Sequence, residues 1–281
     1  MKELEMEVKF IKTNPTQNMT ILVESRHGRE DYGQVAQRMM SYDHVFAEQV
    51  GFIEQAEGQE AWARLQMMSG EFCGNAAMSL AAVMAWKWNL PLGRSLDIPL
   101  EVSGADQLLS CRVTADAAPG YTCRLELPPP LSIEPSVLLL RESALTISAA
   151  LVRYPGICHA ILEVAPGEVN LRSIAEQAVQ SLAAICDEQA VGIMLYCPDT
   201  QEMEPLVYIP AANSLVWERG CGSGAAAVGA WLARQQQRHI HTQIKQPGGT
   251  MDVWAQIENR QITRLAIQGQ VHISASGTAY I

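Results

Sequence analysis

The sequence predicts an α/β (α+β) chain made of two related halves. Three observations lead there. The chain is 281 residues long, a length that suits one large domain or two smaller ones. One motif occurs twice: Cys73 opens CGNAAMSLAAVMAW, and Cys221, 148 positions later, opens CGSGAAAVGAWLA. Short apolar, strand-like runs bounded by turn residues surround both copies. A repeat near half the chain length is too long for a solenoid and fits two similar lobes.

Taken in order, residues 20–24 read as a strand, 32–41 as a helix and 50–54 as a strand. Residues 61–67 are extended and stop at the turn-like Ser69-Gly70, just before Cys73. The run after Cys73 is rich in Ala, Met and Leu, which favour helix. Strands follow at 109–114, 121–127 and 160–164, with Pro128-Pro129-Pro130 near the lobe boundary. A helix is predicted over 171–186 and a strand over 192–197. Residues 205–217 read as extended with a loop inside, leading to Cys221 and the second Ala-rich helix. Strands at 251–257 and 262–267 complete the reading.

The two motif helices carry almost no charge, so both should be buried on all sides. Each places a thiol at a helix N-terminus, followed by Gly and a small polar residue (Gly74-Asn75, Gly222-Ser223) suited to a tight approach and a cap. Macrodipole and unpaired amides lower the pKa of such a thiol. The same amides bind anions, so an amino-acid α-carboxylate can dock there. One cysteine as thiolate takes the α-proton from one face, and the other as thiol donates to the opposite face. That two-base 1,1-proton transfer inverts a stereocentre with no cofactor and no metal.

Composition narrows the alternatives. Twenty Lys+Arg against thirty Asp+Glu give a net charge of −10, and only five residues are Lys. Such a chain is a poor partner for nucleic acid or an anionic membrane. The longest strongly apolar stretch, 78–86, is well short of the roughly 18 residues that span a bilayer. The opening MKELEMEVKF has no apolar h-region, so a cytoplasmic location is expected. Seven widely spaced cysteines with no CxxC argue against a disulfide framework or a structural zinc site. The five outside the motif (Cys111, Cys123, Cys158, Cys186, Cys197) read as packing residues.

CGNAA, CGSGA and the N-terminal NPTQNMTILV resemble, over essentially the whole chain, the cofactor-independent racemases and epimerases typified by diaminopimelate epimerase. The resemblance implies two pseudo-symmetric lobes, each a β-barrel-like sheet around a central helix, with the active site between them. Residues 1–118 would form the first lobe and 119–270 the second, the strand 271–281 returning to the first. It implies Cys73 and Cys221 as catalytic thiols, supported by His159. Asn14, Asn18, Glu48, Gln49, Gly74, Asn75, Glu218, Arg219, Gly222 and Ser223 would bind substrate, a small amino acid. Dimers are common in the group, so a homodimer is compatible with it.

The departures bear on the substrate. Diaminopimelate epimerases read the distal amino-acid head with Asn side chains, and here those places fall on Ile157, Met67-Met68 and Ala190-Val191. Ala76 replaces a usual Gly. Glu218-Arg219 stand only three and two residues before Cys221, where a longer segment is usual, which bears on Arg219. A ligand with a second charged head would be left unpaired. The NPTQNM, GEFCGNA and ERGCGSGAA blocks look most like histidine racemases of opine-type, staphylopine-like metallophore pathways, which convert L-histidine to D-histidine. Glu48, Asn14, Asn18 and Gln49 could then meet an imidazole. Diaminopimelate or another amino acid is the alternative substrate.

Other classes fit less well. The stretch Gly222–Ala227 matches GxGxxA, but residues 234–250 hold no Asp or Glu for a dinucleotide ribose. Lys87 and Lys245 lack the phosphate-binding context of a pyridoxal phosphate Schiff base. A phenazine-biosynthesis-type isomerase would use an acidic base where this chain has cysteines.

Overall fold

The computed structural model describes residues 6–117, 120–140 and 144–281. The chain divides into two compact units: one holds the residues up to Leu125 together with Gly269–Ile281, the other Glu126–Gln268. The expected boundary at 118/119 falls on residues outside the described set.

The first unit contains β1 (Glu7–Pro15), β2 (Thr20–Val23), α1 (Tyr32–Met40), β3 (Gln49–Glu54), β4 (Ala63–Met67), α2 (Gly74–Lys87), β5 (Ser95–Val102), β6 (Leu109–Ala115) and β7 (Gly120–Leu127). The second contains β8 (Ser132–Leu140), β9 (Leu145–Tyr154), β10 (Ile157–Glu163), α3 (Leu171–Ala183), β11 (Ala190–Cys197), β12 (Glu202–Ile209), β13 (Ser214–Trp217), α4 (Gly222–Gln236), β14 (Ile240–Gln246) and β15 (Gly249–Glu258). The last strand, β16 (Gln261–Tyr280), starts in the second unit and ends in the first.

In the first unit the strands run in the order β1 to β7, then the end of β16. That end also pairs antiparallel with β1, from Glu7↔Tyr280 to Pro15↔Val271, and so closes the ring. A closed ring leaves no unpaired edge. α2 packs against β1 through β6. Of its residues, only Lys87 at the last turn is charged, and Ala76, Ala77, Met78, Leu80, Ala81 and Ala82 are at most 1% exposed. The small side chains let surrounding strands approach the helix closely. The buried polar Ser79 is answered by Thr13 on β1 at 2.8 Å, which satisfies both hydroxyls. The amphipathic α1 buries Tyr32, Val35, Ala36 and Met39 in a cluster with Phe52 and Val50.

The second unit has the order β16–β15–β14–β12–β11–β10–β9–β8, with β13 added to β12. α4 packs on β9, β10, β11, β14 and β15, and α3 packs on β8, β11 and β12. β11 is AVGIMLYC and buried at every position. It lies between β10 and β12, with helices on its faces, which explains its continuous apolar run.

Several strands lie where the sequence reading left gaps: β1, β5, β8, β9 and β14. β5 carries Pro99 and β8 carries Pro135. Proline removes a ladder donor, yet β8 ends its sheet, where that loss is tolerated. β1 alternates exposed and buried residues behind a charged opening. α3 stops at Ala183, not at 186, because residues 184–186 form a turn on Gln180 and Leu182.

Candidate active site

Each unit caps its buried helix with one motif cysteine. Cys73 is the N-cap of α2 at φ −135°, ψ 108°, and its sulfur accepts the Ala76 N–H at 3.4 Å. Cys221 is the N-cap of α4 at φ −119°, ψ 110°, and its sulfur accepts the Gly224 N–H at 3.4 Å. The extended backbone at each cysteine turns into helix within one residue. The side chain therefore lies over the first-turn amides.

At Cys73 a directional hydrogen-bond chain runs through three side chains. The thiol donates to Gln49 Oε1 at 3.0 Å. Gln49 Nε2 donates to Thr20 Oγ1 at 2.7 Å. The Thr20 hydroxyl donates to the Asn18 carbonyl at 3.1 Å. Parallel pairing of β2 with β3 sets Thr20 opposite Gln49 and makes this chain possible. An amide oxygen can accept a hydrogen bond but cannot take the proton, so Gln49 orients the Cys73 S–H and does not ionise it. Asn18 and Asn75 are buried, and Gly74 lies beside Asn75 in the first turn of α2. The Glu48 N–H donates to the Met19 carbonyl, placing Glu48 at the start of β3 next to Gln49. Asn14 turns elsewhere: its Oδ1 accepts the Gln17 N–H at 2.6 Å and closes the β1–β2 turn.

The loop that delivers Cys73 is held from below. The buried Glu71 carboxylate accepts the Ser69 N–H at 3.0 Å, and Ser103 Oγ donates to the Glu71 carbonyl at 2.9 Å. Burial raises the Glu71 pKa. Gly104, at φ +72°, lies so close that a Cβ there would meet the Phe72 nitrogen at 2.5 Å. Only glycine serves both that backbone angle and that approach.

At Cys221 the surroundings differ. Burial and the neighbouring Glu218 carboxylate push the Cys221 thiol well above its ordinary range, while the Ser223 hydroxyl and the Gly224 amide pull it down. The expectation that the helix N-terminus alone would make a low-pKa thiolate is thus corrected for Cys221. Desolvation and an adjacent negative charge outweigh the helix end. Ser223 Oγ is 3.6 Å from Cys221 Sγ and 2.9 Å from His159 Nε2. Burial lowers the His159 pKa to about 3, so the ring is neutral near pH 7. Its Nδ1 has no partner among the described residues. With Nε2 protonated, only an acceptor goes unpaired, and the donors run His159 to Ser223 to Cys221. Glycines make the room: a Cβ on Gly192 would meet His159 Nδ1 at 2.4 Å, and one on Gly224 would meet Met194 Sδ at 2.2 Å.

Arg219 is exposed and donates to the Pro247 carbonyl at 3.3 Å, while Gly248 N–H donates to the Arg219 carbonyl at 2.6 Å. It braces the β14–β15 turn. Two further side chains join these networks without any local signal of a site role in the sequence: Thr20, the first residue of a predicted strand, and Gln246. Gln246, buried at the end of β14, accepts the Cys221 N–H at 2.6 Å. Neither lies near a cysteine in sequence, and only the fold brings them in: Thr20 by strand register and Gln246 by its place at the end of β14.

The neutral His159 has a consequence for acid stability. Its folded pKa of about 3 lies below the ordinary value of 6.5. Below pH 6.5 the unfolded chain therefore binds a proton that the folded chain refuses, and stability is lost as pH falls from about 6.5 toward about 3. Between pH 6.5 and 5 the loss from this residue should reach about 2 kcal/mol. His159→Gln should flatten that part of the melting-temperature profile, and parallel profiles for parent and variant would refute the assignment.

Among the described residues no helix is long and apolar enough to cross a membrane. No group of three or more His, Cys, Asp or Glu could hold a metal among them.

Residues 7–280 match the family described as the histidine racemase CntK N-terminal domain. A histidine racemase of Staphylococcus aureus is 30% identical over 279 residues, covering 98% of each chain. A histidine racemase of Fusobacterium nucleatum is 30% identical over 275 residues, covering 97% of each. Among solved structures, a hydroxyproline epimerase from Agrobacterium vitis with bound trans-4-hydroxy-L-proline superposes with a TM-score of 0.74 at 12% identity, over 98% of this chain and 93% of that one. A PhzF-family phenazine biosynthesis protein from Bacillus anthracis gives 0.69 at 12% identity, over 98% of this chain and all of that one. These structures share the sheet-dominated mixed α/β fold. With a family match that spans nearly every residue, the chain belongs to the histidine racemase family and is an isomerase that acts as a racemase.

Proposed function

We propose that the protein interconverts L- and D-histidine by a two-thiol proton transfer that uses neither metal nor organic cofactor, and that the D-histidine feeds opine-type metallophore assembly. Support comes from one observation above all: two cysteines with matching N-cap geometry, each on a buried helix, in a chain of this family. In this reading the two units are the pseudo-symmetric lobes of a diaminopimelate-epimerase-like fold, and the enzyme works in the cytoplasm.

In one direction the steps balance as follows. The Cys221 thiol passes its proton to the Glu218 carboxylate, giving a thiolate and a neutral acid. The thiolate takes the α-proton, and the C–H electron pair moves into the substrate carboxylate as an enolate. The Cys73 thiol donates its proton to the opposite face of the α-carbon. Glu218 then releases its proton to solvent and the Cys73 thiolate takes one up, which restores both thiols. The same steps run backwards, with Cys73 as base and Cys221 as acid, carry the opposite direction, as a racemase requires. First-turn amides of Gly74, Asn75, Gly222 and Ser223 stabilise the enolate charge. His159 keeps Ser223 aimed at the Cys221 sulfur. Asn18 shapes the wall behind Gln49. Glu48 is the acidic group best suited to the substrate imidazole, since Gln49 and Asn14 use their oxygens within the protein.

The test is a panel of L-amino acids in deuterated water, scored for Cα exchange and optical inversion. L-Histidine should exchange and invert fastest. Robust exchange of diaminopimelate with none of histidine would overturn the substrate assignment.

A further inference from the structure

Gln246 holds an amide group that the hydrogen bonds described above leave unused. Its side chain is 8% exposed, and its Oε1 faces the Cys221 backbone N–H at 2.6 Å. A backbone N–H can only donate, so the oxygen must be the atom on that side, and the NH2 must point away from it. That Nε2 is buried and has no hydrogen-bond partner among the described residues. An unpaired buried donor is costly, so such groups normally mark an unfilled role.

The location suggests the role. The carboxamide lies against the N-cap of α4. Here the Gly224 N–H is used by Cys221 Sγ and the Ala225 N–H by the Cys221 carbonyl. The first-turn amides of Gly222 and Ser223 precede any intrahelical acceptor. Two backbone donors and one buried side-chain donor therefore share one helix end. Arg219, the nearest cation in sequence, donates to Pro247 instead. Glu218 supplies negative charge to the Cys221 sulfur, whereas Gln246 engages the Cys221 backbone nitrogen. Two atoms of Cys221 thus meet different groups: a carboxylate at the sulfur, and neutral donors suited to a substrate carboxylate at the helix end.

We propose that Gln246 is a substrate-binding residue whose Nε2 donates to the α-carboxylate of the amino acid at the N-terminus of α4, while its Oε1 fixes the Cys221 backbone. This rests on the reading of Cys221 as a thiol acting at the α-carbon.

Gln246→Glu separates the two tasks of the side chain. The variant retains an oxygen for the Cys221 N–H, removes the donor, and sets a carboxylate against a carboxylate. KM for L-histidine should rise about 10- to 100-fold, the span expected for losing a charge-assisted hydrogen bond. The inhibition constant of histamine, which has the imidazole and ammonium but no carboxylate, should stay within about threefold. Gln246→Met removes donor and acceptor and should lower kcat as well. A KM for Gln246→Glu within threefold of the parent, in a variant that melts like the parent, would overturn the proposal. So would a parallel loss of histamine and histidine. If the parent exchanges no histidine, the substrate reading fails instead. The same comparison then runs with the amino acid it does invert and the matching decarboxylated amine.

Discussion

Cys73→Ser and Cys221→Ser are each expected to lower the rate of L-histidine inversion by at least about 10³-fold, within the range by which a positioned acid or base accelerates proton transfer. Serine is the informative replacement because it is a preferred helix N-cap. It can accept the Ala76 or Gly224 N–H that the sulfur now accepts, so α2 and α4 should keep their starts. What it loses is acidity: its hydroxyl cannot become an anion near neutral pH. Loss of either thiol blocks inversion in both directions, since every turnover needs one base and one acid. The variants should nevertheless differ in a second measurement. A remaining thiol can remove and return a proton on its own face, so each variant should exchange solvent deuterium into one enantiomer of histidine and not the other. The preference should be opposite in the two variants. Parent-like inversion by both would rule out the two-thiol mechanism, and exchange of the same enantiomer by both would rule out opposite-face roles.

Much of this site could be read from local sequence, and the reason is physical. A buried helix leaves a strong trace, because Ala-rich, uncharged runs such as AAMSLAAVMAW have no solvated face. The Cys-Gly start announces where such a helix begins. Gln49 and His159 were found through resemblance, and their contacts with Cys73 and Ser223 required the fold. Thr20 and Gln246 were hidden. Each sits at an end of a strand, and each acquires its partner only in the fold: Thr20 opposite Gln49 through strand register, and Gln246 beside a loop 25 residues upstream. The thiol electrostatics were hidden for a related reason. A helix N-terminus is legible in one dimension, whereas the burial that raises the Cys221 pKa comes only with tertiary packing. Proline argues against a strand unless an edge position is already known, which hid β8 at the end of its sheet; β5 carries its proline between two partner strands, where sequence alone argues against a strand.

Glu218→Gln is expected to reduce kcat/KM for L-histidine about 10²-fold, the lower range of a lost general base, while making the Cys221 thiol more acidic. The two effects have one origin. The Glu218 carboxylate sits beside a buried sulfur and raises its pKa, both by its charge and by accepting its hydrogen. Glutamine retains size and an acceptor oxygen but carries no charge and cannot take a proton. The thiolate of Cys221 should therefore form at lower pH in the variant, because the negative charge opposing it is gone. The sign is testable by thiolate ultraviolet absorbance during a pH titration, performed on a Cys73→Ser background so that Cys73 makes no contribution. If Glu218 only shaped the loop before α4, activity and thiol acidity would have no reason to move in opposite directions. A drop in activity despite a more readily formed thiolate is the result that assigns Glu218 to proton acceptance. Activity within threefold of the parent would exclude it. A raised or unchanged thiol pKa would show that the carboxylate is not the charge that Cys221 feels.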